Sequence, residues 1–216
     1  AISWANLPNE QQRAAWIGWM NCHRYAKLLL TKPWRGAMSI PRELTLRRLN
    51  GALQLLQIPV RELEALRRNT FELTSAQSVQ GEKYCLPATF NKLSIEINLL
   101  CDICDIRECG LILRAGSGAE TRVGIDRRRG TVFVDRARAG FTPDDALFAT
   151  RREAPCAGLV AGRAVRMHVL LDWSSVELFV DDGEVVVTEQ IFPGDESLDV
   201  RLYAQGGTAR FSQFEA

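Results

Sequence analysis

No apolar run in this chain approaches the roughly 20 residues that a membrane-spanning helix needs. No charge sign dominates either: 27 Lys and Arg stand against 26 Asp and Glu, a formal charge of +1. A balance this close to neutral offers nothing to draw in a phosphate backbone, so neither membrane nor nucleic acid is an expected partner. There is no Gly-rich phosphate loop of the Walker type and no Gly-x-Ser-x-Gly nucleophile elbow. The opening residues, Ala1-Ile2-Ser3-Trp4, lack an initiator methionine and the charged-then-apolar layout of a signal peptide. The expectation is a piece of something longer.

A second Cys-x-x-Cys is also missing. The cysteines are Cys22, Cys85, Cys101, Cys104, Cys109 and Cys156. A closed zinc site needs four ligands at suitable spacing, and Cys101-x-x-Cys104 has only Cys109 near it, with His168 remote in sequence. No metal and no cofactor is expected. The cysteine cluster lies between two strand-like runs, where Cys is a common small buried residue. Disulfide pairing and compartment stay open on this reading.

What is present is β-structure. The 216 residues suffice for one large β domain or two small ones, and 46% hydrophobic with 25% charged residues is ordinary for a globular chain. Ser94–Leu99 alternates polar and apolar at the period of a half-buried strand. Strand-like runs follow at 110–114, 122–126, 131–135, 165–171, 175–180, 184–188, 200–203 and 209–212. Asp181-Asp182-Gly183 is a hairpin signal between two of them. Many short strands with regular turns indicate a sandwich or barrel.

The first fifty residues differ. They hold Trp4, Trp16, Trp19 and Trp34, four of the five tryptophans, with strand signals at 16–20, 38–40 and 44–47. Pro59 opens a run to Arg67 that reads as a short helical linker. The division is therefore 1–56, a linker at 57–69, and a β domain at 70–216. So few strands before the linker cannot bury a core alone, and they must pack on something.

Several segments resemble the family 32 glycoside hydrolases, which include invertases, levanases and exo-inulinases. Trp34-Arg35-Gly36-Ala37-Met38-Ser39-Ile40-Pro41-Arg42-Glu43-Leu44-Thr45-Leu46 is similar to the segment closing that family's five-bladed propeller, and Gly18-Trp19-Met20-Asn21 to its last blade. Leu53-Gln54 and Gln57-Ile58-Pro59-Val60 resemble the linker. Ser175 to Glu184 and Ile191-Phe192-Pro193 resemble the final hairpin of the C-terminal sandwich. The resemblance implies an all-β chain: strands of a final propeller blade, then a concanavalin- or lectin-like C-terminal β-sandwich. It further implies a retaining glycosidase, whose nucleophile and acid/base carboxylates stand about 5–5.5 Å apart.

In the family those carboxylates lie in Trp-Met-Asn-Asp-Pro-Asn-Gly, Arg-Asp-Pro and Glu-Cys-Pro blocks of earlier blades. Here Trp19-Met20-Asn21 continues as Cys22-His23-Arg24. No Arg-Asp-Pro occurs. Glu108-Cys109 is followed by Gly110 and reads as a strand-edge glutamate of the sandwich. No catalytic residue is expected in this chain, which should be inactive alone. The family usually has Trp where His23 stands, near the fructose pocket, and keeps Tyr at the position of Tyr25. Asn21 and His23 are thus the substrate-binding candidates, set against the alternative of an ordinary loop histidine.

The remaining polar features read as structural. His168 reads as a packed or surface histidine, Arg127-Arg128-Arg129 as a solvated hairpin turn, and Asp144-Asp145 as a turn or helix start. Arg42 and Glu43 read as a complementary pair at the interdomain seam. The resemblance implies fructan or sucrose as partner through absent propeller blades, a homodimer through the sandwich, and a secreted or periplasmic setting. The competing class is a stand-alone carbohydrate-binding module. It calls for an exposed aromatic row; Phe133, Phe179 and Phe211 fall on core positions, which leaves Trp173.

Overall fold

The computed structural model describes residues 1–4, 13–49, 51–87, 92–103 and 105–216. Cys104, and with it part of the Cys-x-x-Cys pair, lies outside them. Four antiparallel strands form the first sheet in the order β1 (Ile2–Ser3), β2 (Ala14–Ile17), β3 (Arg42–Leu49) and β4 (Ala52–Pro59). A 3₁₀ turn at Arg61–Leu66 follows. Ten further strands make the second sheet: β5 (Gln77–Tyr84), β6 (Ile95–Asp102), β7 (Glu108–Gly116), β8 (Ala119–Asp126), β9 (Thr131–Arg138), β10 (Arg151–Pro155), β11 (Ala164–Asp172), β12 (Ser175–Val180), β13 (Val185–Gln190) and β14 (Asp199–Glu215).

Their order is β10-β9-β8-β7-β14-β6-β11-β12-β13, with β5 also on β14. The chain is all-β, and the second sheet folds over on itself into a sandwich. Its hinge is β14: Asp199–Gln205 pairs with β7, and Arg210–Glu215 with β6. A strand that changes layers through a bend is a standard way to turn a sandwich corner. The two ends of the sheet approach each other, since β13 contacts β9 and β10.

Strand period fixes what fills the interior. In β6, Ile95, Ile97, Leu99 and Cys101 point inward; in β11, Val165, Met167, Val169 and Leu171 do so. They meet Leu111, Val123, Val132, Val134, Val176, Leu178, Leu202 and Phe211 in one core. The outer face of β7 is covered as well, by a small cluster of Ile112, Ala115, Phe133 and Tyr203.

Four readings of the sequence change. The runs at 200–203 and 209–212 are halves of one strand, β14. It bends at Gly206-Gly207, where it passes the β6–β7 connection. A Cβ on Gly207 (φ +148) would lie 1.7 Å from the Asp105 carbonyl oxygen, so only glycine lets the two backbones cross. Strands β5 and β10 escaped sequence reading because they are polar: Gln-Ser-Val-Gln-Gly-Glu-Lys-Tyr and Arg-Arg-Glu-Ala-Pro carry no clean apolar alternation. Residues 57–59, read as linker, are the end of β4, with Pro59 where the ladder stops. The helical linker is 3₁₀ rather than α.

The linker is pinned to the sandwich by charge. Arg67 donates from Nε and Nη2 to the two oxygens of Glu96 at 2.7 and 2.8 Å. Glu96 also lies 2.8 Å from Nε2 of His168, whose ring packs beside Phe179. Hydrogen bonds from Arg67 hold the Glu96 carboxyl down at about 2, with His168 assisting against the opposing effect of burial. A depressed folded-state pKa stabilises above the unfolded value and loses that contribution as pH falls toward the folded one. The stability difference between the parent protein and Glu96→Gln should therefore be complete above pH 5 and vanish between about pH 4.5 and pH 2. Urea unfolding of both proteins across that range checks it; a difference that persists unchanged at pH 2 contradicts it.

Candidate functional site

Arg42 and Glu43 are neighbours in β3, so the pleat sends them to opposite faces. They do not pair with each other. Arg42 crosses into the sandwich: Nη2 donates to Glu177 Oε2 at 2.5 Å and also to Thr188 Oγ1, while Nη1 donates to Gln57 Oε1 at 2.9 Å. The guanidinium lies over the Phe179 ring, 5.2 Å from its centroid. Glu177 is 2% exposed, and its other oxygen accepts the Ile40 amide at 2.7 Å. Glu43 instead accepts from Arg13 at 2.6 Å, and Arg13 also grips Glu62. The expected pair is thus two separate pairs, one buried at the seam and one near the surface.

Backbone contact reinforces the seam. The Asp181-Asp182-Gly183 turn between β12 and β13 docks on β4, where the Gln57 amide donates to the Gly183 carbonyl at 3.1 Å and Gln54 Nε2 to that of Glu184 at 2.9 Å. A Cβ on Gly183 (φ +85) would sit 2.0 Å from the Gln57 carbonyl oxygen. The Asp-Gly hairpin signal therefore serves two demands at once, a positive φ and a close approach.

A buried arginine lies on the other side of the seam. Arg136 is 1% exposed; its Nη2 meets Glu189 at 2.8 Å and the Tyr25 hydroxyl at 3.2 Å, and Nη1 donates to the Gln190 carbonyl at 2.8 Å. Its guanidinium stacks 4.0 Å over Phe148, whose ring is edge-on to Tyr25 and parallel to Phe192. Burial pushes the Glu189 carboxyl up, opposed by Arg136 and then Arg152. Asp145, in a turn rather than a helix, accepts the Leu147 amide and pairs with Arg24 at 2.6 Å.

Between these two anchors lies a cavity of about 390 Å³, lined by Trp16, Trp19, Asn21, Arg42, Thr188 and Glu189 among others. Asn21 Oδ1 accepts the Cys22 amide at 2.8 Å, while its buried Nδ2 has no hydrogen-bond partner among the described residues. His23 is exposed and does not line the cavity; its ring sits 4.9 Å from that of Trp19, which does. Indole faces beside amide, hydroxyl and guanidinium groups suit a polyhydroxylated ligand.

Glu189 is the only carboxylate among the described residues that line the cavity, whereas retaining glycoside hydrolysis uses two. Glu108 is no substitute. It sits in β7, which is paired on both sides, so it is a buried interior glutamate rather than an edge one. It accepts from the Tyr203 hydroxyl at 2.9 Å and from Arg151 at 2.7 Å. Among the described residues no three His, Cys, Asp or Glu gather as metal ligands. The arginine triplet is the β8–β9 turn, with Arg127 on Asp105 and Arg129 on Glu153.

Sequence reasoning missed Arg136, Glu177 and Glu189. A signal for the first was present: Val132, Val134 and Arg136 share one face of β9, so an arginine continues an inward apolar row. Glu177 shares a face with Phe179, and only knowledge that the first sheet covers that face marks it as buried.

Sequence comparison decides the family. The profile for the glycosyl hydrolases family 32 C-terminal domain matches residues 62–216, and that for the N-terminal domain matches residues 3–59. The chain belongs to glycosyl hydrolase family 32. It is 35% identical to a levanase of Bacillus subtilis over 209 residues, covering 96% of this chain and 31% of that protein. An extracellular exo-inulinase of Aspergillus niger is 31% identical over 203 residues, covering 88% and 36%. The solved structure of exo-inulinase from Aspergillus awamori matches with a TM-score of 0.80 at 28% identity, over 94% of this chain and 40% of that one. Fructan 1-exohydrolase IIa from Cichorium intybus shares the fold at 15% identity and a TM-score of 0.70. The chain thus spans about a third of the curated relatives it matches, 31% of the levanase.

The two seam pairs should differ sharply on truncation. Glu177→Ala strands Arg42 in a buried site and should cost about 3 kcal/mol of unfolding free energy. Glu43→Ala, at a more exposed pair, should cost under about 1 kcal/mol. Denaturant titration of both variants reads this out, and equal losses contradict the assignment of Arg42 to the seam.

Proposed function

We propose that the whole protein carrying this chain is a retaining β-fructofuranosidase-type glycoside hydrolase acting on sucrose or fructans. In this reading residues 1–59, through the end of β4, come from the last propeller blade, 60–69 are the linker, and 70–216 a sandwich that braces the catalytic propeller. The observation that carries it is the family match running through both parts in order while spanning only about a third of the relatives. The first sheet supports it. Leu46, Leu53 and Leu55, which share one face of β3 and β4, are 61%, 60% and 41% exposed, and an apolar face of that kind calls for a cover. Neighbouring blades would supply both the cover and the carboxylates that this chain lacks.

Asn21 and His23 are proposed to face substrate at the rim of the propeller. An imidazole where the family resemblance implies an indole would weaken stacking on a fructosyl ring while adding a hydrogen-bonding edge. The competing reading, a sugar-binding module with no activity, has Trp173 in its favour, 61% exposed on the β11–β12 turn.

The test is fructose release from sucrose, inulin and levan by the whole protein and by this chain alone. The whole protein should release fructose from at least one of them and the chain from none. His23→Trp in the whole protein should shift KM several-fold, with kcat less affected. Binding of fructan by the whole protein without any release would favour the module instead.

A further inference from the structure

Among the described residues, one contact is closer than its chemistry as two thiols requires. Cys101 and Cys109, eight positions apart in sequence, bring their sulfur atoms to 3.0 Å, inside the van der Waals contact of two sulfurs. Both are 0% exposed, within the main core. Neither backbone is free to drift. Cys101 in β6 is held between Val165 of β11 and Phe211 of β14, and Cys109 in β7 between Ile125 of β8 and Ala204 of β14. The two strands leave β14 on opposite sides of its Gly206-Gly207 bend, so these side chains meet across the corner where the sheet folds over.

We propose that Cys101 and Cys109 form a disulfide that clasps β6 to β7 when the protein folds in an oxidising compartment. One thiolate attacks a low-molecular-weight disulfide such as oxidised glutathione, expelling one glutathione thiolate. The second cysteine thiolate displaces the other glutathione from the mixed disulfide. Two protons leave the cysteines, their sulfurs give up two electrons, and the oxidant departs as two thiols. Complete burial places this exchange before the sandwich closes, and it shields the finished bond from reductant afterwards. The clasp closes a short loop and so removes conformations from the unfolded chain.

The test uses the whole polypeptide that carries this sequence, expressed in parallel into an oxidising and a reducing compartment. Remaining thiols are alkylated under denaturing conditions, and the protein is cut by trypsin without reduction. Cleavage after Lys92, Arg107 and Arg114 places Cys101 and Cys104 on one peptide and Cys109 on the next. The expected product, from the oxidising compartment only, is those two peptides joined, with fragment ions that put the bond on Cys101 and the alkyl group on Cys104. Cys104→Ala should leave the link intact, and the linked protein should melt about 5 °C higher than the reduced one. A bond through Cys104, or full alkylation of Cys101 and Cys109 in oxidised material, overturns the proposal.

Discussion

A guanidinium taken out of water costs several kcal/mol unless a carboxylate and further acceptors meet it, and the seam of this protein is built around two such groups. Arg42 reaches from the first sheet into the sandwich to Glu177; Arg136 reaches from the sandwich back to Tyr25 while holding Glu189. Each also lies on an aromatic ring, Phe179 for Arg42 and Phe148 for Arg136. Both arginines thus depend on residues from the far side of the seam. Separation of the two sheets would leave Glu177 without Arg42 and would take the Tyr25 hydroxyl and ring from Arg136. An apolar seam would resist separation too, but buried pairs also select one geometry, because a shifted seam leaves charges unmet.

That geometry sets what lies between. The cavity lined by Trp16, Trp19, Asn21, Arg42, Thr188 and Glu189 draws on both sheets, so its shape follows from the anchors on either side. The close approach of Gly183 to Gln57 fixes the spacing at one end, and the Tyr25–Phe148–Phe192 stack fixes it at the other. In the proposed enzyme this rigidity is the sandwich's contribution. A last blade held in one orientation holds the rim of the substrate pocket in one orientation as well.

Much of the sandwich was legible in the sequence because its strands obey a period of two with one clean apolar face. Ser94–Leu99 and Val165–Leu171 are examples, and the Asp-Gly turn at 182–183 marks their hairpin neighbour. What escaped is what periodicity cannot carry. The polar strands β5 and β10 have no apolar face to betray them, and β14 reads as two strands because the glycines at its bend look like a turn. The candidate site was less legible. The Trp-Met-Asn segment and the Pro-Arg-Glu-Leu segment identify the region by resemblance. The partner of Arg42 lies 135 positions away in sequence, and a contact that distant leaves no local trace. Arg42 and Glu43 look like a pair only because they are adjacent, and adjacency in a strand means opposite faces.

The most direct test of the account is native-state amide hydrogen exchange on the whole polypeptide, comparing β4 with β12. If the seam makes one cooperative body, the Gln57 amide and the amides of β12 should open with the same free energy, and denaturant should lower both with the same slope. Exchange of β4 amides orders of magnitude faster than those of β12 would mean that the first sheet hangs loosely on the sandwich, and that the buried arginine pairs do not unite the two.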